Sequence, residues 1–113
     1  MTSEARTAGG VHILDFKGKI CFSDGEQEFQ KAVADCLAQG HKKIVLNFGH
    51  VKLIDSAGLG QMMAAKKRGL DRNAEFALVI PRDTPVPLVV QTCLQLVFHV
   101  FQDEVSAVGY FAK

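Results

Sequence analysis

The sequence has no tryptophan, a single tyrosine, no excess of either charge and no long apolar run. Thirteen basic and twelve acidic residues leave a formal net charge of +1, which is not the basic footprint of a nucleic-acid binder. No apolar stretch reaches the ~18–20 residues that a membrane span needs, so no direct membrane insertion is expected. Met1 to Gly10 is small and polar and lacks the apolar segment of a signal peptide. It reads as a flexible N-terminal lead, residues 1–10, ahead of a single folding unit over residues 11–113. The three cysteines, Cys21, Cys36 and Cys93, are odd in number and widely spaced. They fit buried free thiols in a reducing cytoplasm better than a disulfide framework or a metal site. His12, His41, His50 and His99 are scattered without ligand spacing, so no metal and no cofactor is expected.

What the chain does have is apolar material. Hydrophobic residues make up 48%, enough for a core, and eight phenylalanines point to a Phe-rich interior. Val11 to Lys17 is β-prone. Gly18 then permits a turn or bulge, and Lys19 to Phe22 reads as a second short strand in a hairpin. Ser23 and Glu26 have the spacing of a capping box. Phe29, Ala32, Val33, Cys36 and Leu37 then follow at i, i+3, i+4, i+7 and i+8, a single helical stripe that Gly40 stops. Lys43 to Phe48 suits a strand covered on both faces. A helix from the Asp55 region to about Arg68 is expected to bury Leu59, Met62, Met63 and Leu70 and to end at Gly69. Glu75 to Ile80 reads as a buried strand, Leu88 to Leu94 as a short helix after Pro85 and Pro87, and Val97 to Phe101 as a last strand. A terminal helix over Gln102 to Ala112 would turn Val105, Val108 and Phe111 or Ala112 inward. This alternation predicts an α/β class, with a mixed, largely parallel sheet of four to five strands and about four helices.

The most informative stretch is Asp55-Ser56-Ala57-Gly58-Leu59-Gly60. The apolar run Val51-Lys52-Leu53-Ile54 delivers an acid, a hydroxyl and two glycines to the start of an apolar helix. Backbone N–H groups are unpaired in a first helical turn and the helix dipole is positive there. A phosphate on Ser56 would meet a favourable field. Ser56 also reads as a plain N-cap, and the two roles are compatible. The glycines serve either close helix–sheet packing or a partner's approach. Met62 and Met63 fit the core or the border of a partner surface. Lys66-Lys67-Arg68 suits the negative end of the helix.

The element order, together with Lys43-Ile44-Val45-Leu46-Asn47-Phe48, a short linker and Asp-Ser-x-Gly-Leu-Gly opening a helix, resembles the STAS domain. More narrowly it resembles the bacterial anti-sigma factor antagonists. The resemblance implies a non-enzymatic, cytoplasmic partner switch with no catalytic residues. The unmodified antagonist binds an anti-sigma factor that is also a serine kinase; phosphorylation of Ser56 dissociates the complex, and a protein serine phosphatase restores the hydroxyl. The implied partner-binding residues are Cys21, Ser23, Asp24, Asp55, Ser56, Ala57, Gly58, Leu59, Gly60, Met62 and Met63. Members commonly carry Gly-x-apolar-Asp after the first strand. This chain has Gly18-Lys19-Ile20-Cys21 instead, with Asp24 three residues on. That departure keeps a second reading in view: a STAS subunit of a stress-sensing or transporter-associated assembly without regulated phosphorylation. A third is a small domain binding an anion at the helix start.

Overall fold

The computed structural model describes residues 1–22 and 24–112. Nine elements alternate along the chain: β1 (Thr2–Ala8), β2 (Val11–Ile20), α1 (Glu26–Ala38), β3 (Lys43–Ile54), α2 (Ser56–Asp71), β4 (Glu75–Val79), α3 (Leu88–Val97), β5 (His99–Phe101) and α4 (Glu104–Phe111). The five strands form one sheet in the order β1-β2-β3-β4-β5. β1 is antiparallel to β2, and every later pairing is parallel. The class is the expected one, a mixed, largely parallel sheet with four helices.

The two-residue period of the strands sorts side chains into two cores. Leu14 and Phe16, Ile44, Leu46 and Phe48, and Phe76 and Leu78 face α1, α2 and α3. Val11 and Ile13, Val45, and Ala77 and Val79 face α4 through Ala107 and Phe111. Three phenylalanines anchor the larger core. Phe16 lies 5.1 Å from Phe29 and 5.5 Å from Phe48, ring centre to ring centre, the spacing that aromatic pairs prefer. α1 buries Phe29, Val33, Cys36 and Leu37 of its predicted stripe, while Ala32 is half-buried. Gly40, at φ 88°, provides the left-handed residue that ends it.

Several expectations are corrected. Residues 2–8, read as a flexible lead, form β1, whose seven residues pair with β2 in unbroken register from Thr2↔Lys17 to Ala8↔Val11. Val11 to Phe22 is not a hairpin, because β2 runs through Gly18 to Ile20 and its antiparallel partner is β1. Gly18, at φ 113°, instead takes up an irregularity where the register with β3 shifts between Gly18 and Lys19. β3 continues past Phe48 to Ile54. α2 continues past Gly69 to Asp71, so only Arg68 of the basic triplet lies in its last turn. Gly69 is buried inside the helix because a Cβ there would sit 2.3 Å from the Phe76 ring. Leu70 is exposed rather than core, as is Val105 of α4. Of the three free cysteines only Cys36 is buried; Cys21 and Cys93 are half-exposed. Burial pushes the Cys36 thiol up to about 12.

Candidate functional site at the start of helix α2

β3 ends at Ile54, fully buried, and the chain passes directly into α2. Asp55, not Ser56, is the N-cap. Its backbone is extended, its Oδ1 accepts from the Gly58 N–H at 2.8 Å, and its carbonyl accepts from the Leu59 N–H at 2.8 Å. Ser56 is therefore the first helical residue, and it is exposed. The second oxygen of Asp55 reaches across to the loop after β2, where it accepts from the Phe22 N–H at 3.1 Å. One carboxylate thus fastens the helix start to that loop. The N–H groups of Gly58 and then Phe22 hold its pKa below the ordinary carboxylate value, so Asp55 is ionised at neutral pH.

The loop closes on itself through two backbone bonds. Cys21 N–H donates to the Asp24 carbonyl at 2.8 Å, and Asp24 N–H donates to the Cys21 carbonyl at 2.9 Å. Partial burial, then the charges of Asp55 and Asp24, push the Cys21 thiol up, so it sits there as a neutral group. Asp24 is exposed. Gly25, at φ 87°, occupies the N-cap position of α1, and the capping box expected of Ser23 and Glu26 rests on Ser23, which lies outside the described residues. A Cβ at Gly25 would fall 2.0 Å from the Lys19 carbonyl oxygen.

The two motif glycines have different roles. A Cβ on Gly58 would lie 1.9 Å from the Ile20 carbonyl oxygen, so Gly58 brings α2 against the end of β2 and is buried. Gly60 is exposed and has nothing within 4 Å of the same position. The helix stripe splits likewise. Met62 is fully buried, while Leu59 and Met63 are half-buried at the rim of the core. Met62 and Gly58 are therefore packing residues, which corrects their expected place on a contact surface. The expected residues left at the surface are Cys21, Asp24, Asp55, Ser56, Ala57, Leu59, Gly60 and Met63. Beside them, Gln61 Nε2 donates to Glu26 Oε2 at 3.1 Å and Gln30 Nε2 donates to the Gln61 carbonyl at 2.9 Å, joining α1 to α2.

Phe22 was not singled out in the sequence. It is 77% exposed, and its N–H is the one held by Asp55. Its signal was an aromatic side chain inside a turn of otherwise small and polar residues, with no apolar period to bury it. It borders an open groove of about 400 Å³, lined also by Asp24, Gly25, Glu26, Gln27 and Glu28.

Fold and site together define a small one-sheet α/β domain that presents a serine at a helix start, beside an ionised cap and an exposed aromatic. The chain belongs to the STAS domain family, whose pattern matches residues 2–107. A Thermotoga maritima protein described as an anti-sigma factor antagonist superposes with a TM-score of 0.83 at 26% identity, over 98% of this chain and 95% of that one. An anti-sigma factor antagonist from Mycobacterium paratuberculosis gives a TM-score of 0.82 at 17% identity, over 99% and 94%. The anti-sigma factor antagonist SpoIIAA, in its unphosphorylated form, gives 0.72 at 12% identity, over 98% and 97%. At the two lower identities the likeness is one of fold. Among curated proteins, none matches the chain.

Proposed function

We propose that this protein is an anti-sigma factor antagonist that works as a phosphorylation-controlled partner switch. With Ser56 unmodified it binds an anti-sigma factor serine kinase; with Ser56 phosphorylated it lets go, and a protein serine phosphatase resets it. One observation carries this reading: Ser56 is exposed at the first position of α2, directly after an ionised aspartate that is itself fixed. A phosphoryl group adds about −1.5 to −2 charge. The helix dipole tolerates that charge within the fold. At the surface it stands directly after the ionised Asp55, so an interface fitted to a neutral hydroxyl becomes unfavourable.

The surface suits binding rather than catalysis. Phe22 is exposed, Leu59 and Met63 are half-buried beside the core, and Gly60 faces open space, so apolar contact is available to a partner. Asp24, exposed in the same turn as Cys21, supplies a carboxylate near the position where the family commonly has one. The neutral Cys21 thiol favours the second reading, a constitutive STAS subunit of a larger assembly. Intact-mass spectrometry with phosphosite mapping, on protein recovered from its own cells in growth and under stress, separates the two. A phosphate-sized shift at Ser56 that changes with condition is expected. An unmodified Ser56 in every condition would overturn the switch and leave the constitutive subunit.

A further inference from the structure

β1 lies at one edge of the sheet and pairs only with β2. An edge strand presents a row of unpaired N–H and C=O groups, and proteins usually blunt such an edge with charged side chains, lysine above all, or with proline, a bulge or a very short strand. β5, at the other edge, is only three residues long. β1 has seven, Thr-Ser-Glu-Ala-Arg-Thr-Ala, with neither proline nor lysine and no break in its register, and its two charges, Glu4 and Arg6, are of opposite sign and so can pair across a second copy. Thr2 to Thr7 are all exposed.

We propose that β1 is a homodimerisation edge, pairing antiparallel with β1 of a second copy about a two-fold axis at Ala5, so that the two sheets become one. The charges on the strand select this occupant and this register. Antiparallel pairing about Ala5 sets Glu4 opposite Arg6 of the second copy, and the symmetry repeats the pair. Ser3 falls opposite Thr7, and Ala5 meets itself, so nothing bulky stands on the axis. Parallel pairing in register would instead set like charges side by side, which is unfavourable. Glu4 has no hydrogen bond or ion pair among the described residues and is available. Arg6 has five N–H donors. Its Nε and Nη2 donate to Asp15, and its Nη1 and Nη2 donate to Glu104, which leaves one N–H uncommitted. Those same bonds hold the guanidinium on the side of the sheet where the second copy's Glu4 would arrive.

Sedimentation velocity of the full chain, from low micromolar to several hundred micromolar, tests this. The mass is expected to double as concentration rises. Glu4→Lys, at an exposed and unpaired position, is expected to raise the dimer Kd about tenfold by turning two attractions into repulsions. Across the axis the Ala5 Cβ atoms would stand about 4.5–5.5 Å apart. Ala5→Cys is therefore expected to give an intermolecular disulfide on mild oxidation, whereas Thr7→Cys and the unaltered chain do not. A monomer at every concentration would overturn the proposal. So would a dimer that ignores Glu4→Lys and gives no cross-link in Ala5→Cys; the apolar face of α3 formed by Leu88, Val89 and Leu96 would then be the contact.

Discussion

At the scale of single residues, Asp55 and Ser56 divide a role that the sequence leaves shared. Both are good N-caps, and only the backbone decides between them: Asp55 is extended and accepts from Gly58, while Ser56 is already helical. Ser56→Ala therefore removes no cap. It is expected to alter stability by less than about 0.5 kcal/mol, as exposed substitutions usually do, and to bind the anti-sigma partner constitutively. Ser56→Asp is expected to fold equally well and to lose roughly 100-fold in affinity. Urea unfolding and titration calorimetry on the same preparations check the pair, and equal binding by both would remove the switch. Gly58→Ala puts a methyl group against the Ile20 carbonyl and is expected to cost about 1–3 kcal/mol, read from the urea midpoint. Gly60→Ala meets open space and is expected to be neutral in the same assay.

Among the elements, those that bury a periodic stripe were legible. α1 shows its i, i+3, i+4, i+7 pattern because one face packs on the sheet, and the apolar centres of β3 and β4 show it because both of their faces are covered. β1 was illegible for the opposite reason. Its residues are small or charged and almost all exposed, and it is a strand through hydrogen bonds to β2 rather than through burial. The end of α2 was misread because glycine usually terminates a helix, whereas here the missing side chain makes room for the Phe76 ring. Two effects oppose each other at Gly69. Alanine is the better helix former by ~1 kcal/mol, but its Cβ would overlap a buried aromatic, and overpacking costs about 1–3 kcal/mol. Gly69→Ala is therefore expected to lower the thermal midpoint; a rise would show that the ring moves aside freely. For the site, the motif located the helix start. The tie from Asp55 to the Phe22 N–H joins residues 33 positions apart, and no local pattern encodes it.

For the whole molecule, Arg6 ties together pieces distant in sequence, bonding Asp15 on β2 and Glu104 on α4. The guanidinium holds both carboxyls below their ordinary values. Groups of that kind add stability above their unfolded pKa of about 4, and the contribution is lost as pH falls through the lower folded values. The cluster is partly exposed, so the effect is moderate. Arg6→Gln is expected to lower the thermal midpoint near neutral pH and to matter much less in strong acid, which thermal scans across pH would show; an equal loss at every pH would count against the ionic link. The same contact bears on how the protein is made. Strand order follows chain order, so each new unit can settle on an edge already built as the chain leaves the ribosome. The link from Arg6 to Glu104 spans 98 residues, so β1, already held by β2 and Asp15, gains its tie to α4 only after α4 has been synthesised.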